Sequence, residues 1–297
     1  MNELLEQLRT AAHNERCTVL WKFQDRPDAA EVLRGVRRNG PGRLRAAALE
    51  ALMFVGGEAA LAPADVAAAE RLIRIRRRTE PVGPLSSCWT TWWCVRSTDQ
   101  EAVMAAIGLT APRPVTYHLA ADLVDILEHD KETDADLVIV GAAVNGWVPV
   151  VGPWCDAFNE RSAEVQRIIE RLSTTFGEAH AFYFGAQGDG SAWLVAREGV
   201  TVRRFDSEEP ETSTGEPLEI ERAWLAEHGI TGPPEANMEH DDMFDFFDAN
   251  VLAAAISVDI GWHLPEEPDV AGLPVMATVP GAAPMLLPRG SYRISGS

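Results

Sequence analysis

The residues best equipped for chemistry are Glu239, His240, Asp241 and Asp242, followed by Asp245 and Asp248. Asp241 and Asp245 stand four apart, on one face of any helix they belong to, and carboxylates with an imidazole are ligands for a divalent cation. The spacing matches neither HExxH nor an EF-hand loop. Acidic residues in a first helical turn are favoured by the helix dipole without any metal. His240, Asp241 and Asp245 are therefore read as a helix start, with no metal favoured and no cofactor expected.

The run Gly185-Ala186-Gln187-Gly188-Asp189-Gly190 has the glycines of a phosphate loop, but it precedes an apolar alternating segment rather than a helix. Phosphate cradles need a helix N-terminus after them. The run reads as a turn, with Asp189 as an exposed carboxylate at a sheet rim. His118, His180 and His263 are isolated, and Cys155 and Ser191 lie outside GxSxG-like contexts, so no nucleophile arrangement is legible. Cys17, Cys88, Cys94 and Cys155 show no CxxC spacing and read as reduced thiols.

Aromatic residues are a second candidate set. Trp89, Trp92, Trp93, Trp147, Trp154, Tyr183 and Trp193 all fall on or beside strand-like segments. Alternation places Trp89 and Trp93 on one sheet face and Trp92 on the other. Such indoles either line a surface that clasps a flat ligand or peptide, or pack as core. An open cleft with convergent polar groups would favour the first, and a dry core the second.

The elements that must position these residues are clearest over Ala135–Phe205. Leu137–Val140 and Trp147–Val151 read as strands joined through the hairpin signal Asn145-Gly146, with Pro149 placing the second strand at an edge or an irregularity. Val165, Ile168, Ile169, Leu172 and Phe176 recur at helical spacing, with Asn159 to cap the start and Gly177 to end it. Three strands come next, Ala179–Gly185, Ala192–Arg197 and Val200–Phe205, whose connections are too short for crossovers and so make them antiparallel. Trp193 is expected to pack against the helix bearing Ile168 and Leu172, with Leu194 and Ala196 on the opposite face.

Residues 1–80 read as amphipathic helices in the style of HEAT repeats, packed on a sheet domain over 85–206. Within that domain, Cys88–Val95 reads as a strand, Asp99–Ile107 as a helix ended by Gly108, and Val115–Leu119 as a strand, an order that the Trp147–Phe184 segment echoes. Residues 207–297 read as an acidic loop, a helix over Ile220–His228, a helix over Asp241–Ile260 facing the core with Phe244, Phe247, Val251 and Ala255, and a wrapping tail. The fold class is α+β, a mostly antiparallel sheet with covering helices.

The series Trp93-Cys94-Val95, Asn145-Gly146-Trp147, Val150-Val151-Gly152, Leu172-Ser173-Thr174-Thr175-Phe176-Gly177 and Ala192-Trp193-Leu194-Val195-Ala196 resembles a pattern in bacterial proteins of no established activity. These combine a GW hairpin, an LSxxFG helix end and a W-centred strand in this order. The resemblance spans about 88–205 and implies no functional residues.

A formal charge of −19 disfavours nucleic acid and anionic membrane, and suits a basic protein partner. No apolar run is long enough to cross a membrane and no secretory leader is legible, so a cytoplasmic protein is expected. Arginine is far commoner than lysine and alanine is abundant, a bias that suggests a bacterial source. The sequence leads to a non-catalytic protein-binding role, regulatory or immunity-like. The alternative is a small-molecule-binding protein or enzyme that uses a Trp-lined sheet face.

Overall fold

The structure is a computed structural model that describes residues 1–129, 136–186, 190–237, 248–261 and 268–294. Its ten described strands form one antiparallel sheet. They are β1 (Trp89–Arg96), β2 (Thr110–Pro114), β3 (Leu137–Val140), β4 (Ala143–Val144), β5 (Trp147–Val151), β6 (Glu178–Gly185), β7 (Ser191–Arg197), β8 (Val200–Asp206), β9 (Val270–Ala271) and β10 (Val275–Thr278). The main order is β2-β10-β3-β5-β1-β6-β7-β8, with β4 pairing β5 and β9. Helices flank this sheet, and the architecture is α+β.

The β6-β7-β8 meander and the β3–β5 hairpin obey local turn chemistry. Asn145 and Gly146 both take positive φ, 51° and 84°, which is the requirement of a tight primed turn. Pro149 lies inside the sheet, between β3 and β1, and not at an edge. Its missing donor is tolerated because β3 leaves the ladder after Val140 and β4 rejoins it at Val144↔Trp147. In that gap Gly141 N–H donates to the Pro149 carbonyl at 2.9 Å. A side chain at Gly141 would meet the Pro149 ring at 2.6 Å, so the irregularity depends on glycine.

Helices cover both faces. On one lie α6 (Gln100–Ile107) and α8 (Ser162–Phe176), whose Val103, Ile107, Val165, Ile169 and Leu172 pack on Trp93, Val95, Val150, Leu194 and Ala196. On the other, α5 (Pro63–Arg76), α7 (Tyr117–His129), α9 (Glu219–Glu227) and α10 (Ala249–Ile256) enclose Trp92, Phe182, Trp193 and Phe205. Trp193 therefore faces away from α8, and Leu194 and Ala196 are the residues that meet Ile168 and Leu172. The expected pairing had the parity of β7 inverted; a one-residue choice of face reverses every side chain.

Four further expectations change. Val115–Leu119 is not a strand. β2 occupies Thr110–Pro114, an edge where Pro112 and Pro114 cost no internal ladder bond, and α7 begins where Thr116 Oγ accepts the Leu119 N–H at 3.1 Å. The strand-helix-strand echo keeps its order but not its spacing: α8 crosses β1 alone, whereas α6 crosses β10, β3 and β5. In α10, Asp248 Oδ1 accepts the Asn250 N–H at 2.7 Å and sets the helix start. Ala249, Leu252 and Ala253 are thereby turned inward, and Val251 and Ala255 are not. Phe244 and Phe247 lie outside the described residues. The tail does more than wrap, because β10 is an internal strand between β2 and β3.

The N-terminal helices α1 (Asn2–Thr10), α2 (His13–Gln24), α3 (Ala29–Asn39) and α4 (Arg45–Gly56) form a third core around Leu5, Leu20, Phe23, Leu33 and Leu52. α4 is apolar on nearly all sides. Its Ala48, Ala51 and Leu52 enter this core, while Leu49 and Met53 enter the sheet core, as befits a helix enclosed all round. Glu58 adds a polar tie: Arg113 of β2 donates to its two oxygens at 2.9 and 3.1 Å, and Leu287 N–H donates to it at 2.9 Å.

Trp193 is fully buried and stacks on Phe205 with ring centroids 4.3 Å apart. Trp193→Ala should lower unfolding stability by about 3–5 kcal/mol, as truncation of an enclosed aromatic does. Urea titration of parent and variant measures it, and a loss below about 1 kcal/mol would contradict the packing described.

Candidate functional site

The sheet divides the aromatic residues rather than assembling them. Trp92, stacked on Phe182 at 5.1 Å, and Trp193 are fully buried on the α7 face. Trp93 is fully buried on the α8 face, where its Nε1 donates to the Cys155 carbonyl at 2.7 Å. Trp147 is buried over His180 at 4.8 Å, and Trp154 is half-buried beneath the Arg161 guanidinium at 4.8 Å. Tyr183 is half-buried on β6. Trp89, at the open end of β1, is 38% exposed and leans on His129 at 5.0 Å. Asp189, His240, Asp241 and Asp245 lie outside the described residues. Among those described, no group of three His, Cys, Asp or Glu is arranged to hold a metal.

Buried titratable groups account for themselves structurally. His180 is enclosed by Trp147 and Phe182 beside the Glu178 carboxylate, and burial holds its pKa below the ordinary value. Burial pushes the Cys94 thiol up to about 12 and raises Cys155 well above its usual range. Neither supplies a thiolate at neutral pH, the form needed for nucleophilic attack.

The groove that collects exposed functional groups lies elsewhere, between α2, α4, α7 and the segment 289–293. It encloses about 630 Å³. One wall is an aromatic ladder: Trp21 meets Phe54 edge-on at 5.5 Å, and Phe54 meets Tyr292 edge-on at 5.6 Å. Trp21 is 57% exposed. The other wall is α7, which presents Asp122, Asp125 and His129 one turn apart. The floor is tied by Asp122, whose Oδ2 accepts the backbone N–H groups of Tyr292 and Arg293 at 3.3 and 3.1 Å while Oδ1 accepts from the Arg293 guanidinium. Burial pushes this carboxyl up to about 6 against the pull of Arg293.

Beside the groove, Ser87, Asp125 and His129 converge as in a hydrolytic triad, yet the geometry denies that chemistry. Ser87 Oγ donates to Asp125 Oδ1 at 3.0 Å, and its approach to His129 is to Nδ1 at 3.5 Å. Nδ1 is already directed at the Asp125 carbonyl at 2.9 Å. A triad needs the carboxylate on Nδ1 and the hydroxyl on Nε2; here both partners crowd one nitrogen, and the hydroxyl proton goes to the carboxylate. The arrangement instead fixes the last turn of α7 to the segment before β1.

The groove escaped the sequence because α2 carries no clean amphipathic signal and the lining residues run from Cys17 to Arg293, up to 276 residues apart. One usable hint was Trp21, which comes after Val19-Leu20 and precedes Phe23, out of step with the residues that are buried.

In the same helical turn, Glu128 accepts the Thr91 N–H at 3.4 Å, and burial, reinforced by the charge of Asp156, raises its pKa to about 7. Its folded pKa lies above the unfolded value, so the unfolded chain ionises first as pH rises from about 4.5 to 7, and folding stability falls across that window. Glu128→Gln removes the effect. The variant should gain on the parent by up to about 3 kcal/mol above pH 7, and the gain should vanish near pH 4.5. Urea titrations at pH 5 and 8 measure it, and a difference independent of pH would contradict burial as the cause. In comparisons with known proteins the chain matches no family model, and no curated protein or solved structure shows significant similarity to it.

Proposed function

We propose that this protein is a non-catalytic, cytoplasmic bacterial protein that acts by binding another protein, in a regulatory or immunity-like role, and that the groove beside Trp21 is a contact surface. The observation that carries the reading is an exposed indole backed by Phe54 and Tyr292 and faced by an exposed carboxylate, Asp125. Tryptophan, tyrosine and arginine dominate the energetics of protein interfaces. A lysine or arginine of a basic partner could stack on Trp21 and pair with Asp125, and a net charge of −19 would speed its approach. The crowding at His129 Nδ1 and the protonated buried thiols supply no activated nucleophile to argue for catalysis.

A second reading is favoured by the size of the groove, which is that of a small-molecule site. It moves the small-molecule hypothesis away from the sheet indoles to this groove.

The two readings separate by experiment. Affinity capture from the native host with the parent protein should return a basic protein, retained at low salt and released as ionic strength rises, since exposed charges are screened within about 10 Å at 0.1 M salt. Trp21→Ala should weaken binding of that protein by about 30-fold, the loss of an interface anchor worth about 2 kcal/mol, with an unchanged melting temperature. Retention by Trp21→Ala would overturn the groove as the contact surface. Recovery of a stoichiometric small molecule by native mass spectrometry, lost in Trp21→Ala, would establish the second reading instead.

A further inference from the structure

The end of α5 carries the sharpest departure from the chain's acidic character. Arg71, Arg74, Arg76, Arg77 and Arg78 fall within eight residues. Arg77 turns inward and donates to the Pro274 carbonyl at 3.2 Å. The cap residue Arg77 keeps helical backbone angles, φ −55° and ψ −16°, so Arg78 continues the helical path. Arg71, Arg74, Ile75 and Arg78 then share one face at i, i+3, i+4 and i+7, opposite the buried Ala69 and Ile73. All four are exposed, Ile75 at 60%.

Two features taken together mark this stripe. Many arginines elsewhere in this acid-rich chain find carboxylates, among them Arg16 with Glu50, Arg37 with Asp65, Arg113 with Glu58, Arg203 with Glu221 and Glu235, and Arg293 with Asp122, and those that find none, such as Arg38, Arg45 and Arg167, are not gathered around an exposed isoleucine. Among the described residues, Arg71, Arg74 and Arg78 make no ion pair. The helix dipole rewards cations in the last turn only, which accounts for Arg74 and Arg76 but neither for Arg71 nor for an isoleucine left exposed between them. The arginine stems extend the apolar strip that Ile75 begins, so the surface is an apolar centre fenced by guanidinium groups.

We infer that this face of α5 is a docking site for a short acidic amphipathic segment of a partner protein, with carboxylates on Arg71, Arg74 and Arg78 and one apolar side chain on Ile75. The stripe is about 10 Å long, two helical turns, which suits such a segment. Extended polyanions are disfavoured, because a nucleic acid or an anionic bilayer meets the long-range repulsion of a molecule carrying −19. No residue of α5 lines the groove beside Trp21, so the two surfaces are tested separately.

The test is fluorescence anisotropy of the full chain with a labelled peptide in which glutamates at i, i+3 and i+7 surround a leucine. Saturable binding is expected, weakening by about tenfold or more between 0.05 and 0.25 M salt as ion pairs are screened. Arg71→Glu/Arg74→Glu/Arg78→Glu should abolish it at an unchanged melting temperature, and Ile75→Ala should weaken it about threefold. If the charge-reversed chain melts lower, the glutamine triple variant replaces it. Absence of saturation below about 1 mM, or equal binding by the substituted chain, would overturn the inference. Vesicles containing phosphatidylserine and a single-stranded oligonucleotide serve as competing probes. Binding to either that depends on the arginines, with none to the peptide, would also overturn it.

Discussion

β2 and β3 share no hydrogen bond with each other, and each is held by β10 lying between them. That one insertion brings residues 275–278 into a sheet whose other main strands end at Asp206, and much of the remaining architecture depends on it. An internal strand satisfies its backbone on both sides, so β10 cannot be withdrawn without exposing two ladders. Its placement also anchors the C-terminal residues: Leu287 reaches Glu58, Gly290 N–H donates to the Phe54 carbonyl at 2.9 Å, and Tyr292 and Arg293 reach Asp122. This segment is thereby stretched across the seam between the N-terminal helices and the sheet.

The seam is closed from the other side by α4, which divides its apolar residues between two cores. Burying a helix on all sides removes more apolar surface from water than a one-faced contact, and it fixes the helices to the sheet more firmly than polar contacts would. Polar groups drawn into the seam are therefore paired. Glu50 takes Arg16, and Glu58 takes Arg113 and a backbone N–H. Removing one partner from such a pair strands a desolvated charge, which is why these contacts specify the arrangement more than they strengthen it.

The groove and the arginine stripe differ in character. In the first, an indole and carboxylates face an opening made where α2, α4, α7 and the tail meet. In the second, guanidinium groups flank an exposed isoleucine on one helix. The interior indoles belong to neither, since Trp92, Trp93 and Trp193 spend their aromatic surface on packing. In the proposed binding role, two surfaces of such different chemistry would hold one partner in a single orientation, because the reversed pose would set the partner's acidic segment against the indole and the single exposed carboxylate beside it.

Local chemistry determined a good deal from the sequence alone. Positive φ at Asn145 and Gly146 made the hairpin, the spacing of Val165, Ile169 and Leu172 made α8, and short connections made β6, β7 and β8 antiparallel. Each of these depends on residues within a few positions of one another. The Arg71–Arg78 run was equally open to inspection, but its lack of carboxylate partners is a property of the folded surface. Only the tertiary structure decided which face of β7 Trp193 occupies, that Val275–Thr278 is an internal strand, and that Trp21, Asp125 and Tyr292 share one groove. Those outcomes are set by pairings between residues far apart in the chain, and a side-chain period of two cannot say which face is which until the partner strands and covering helices are in place.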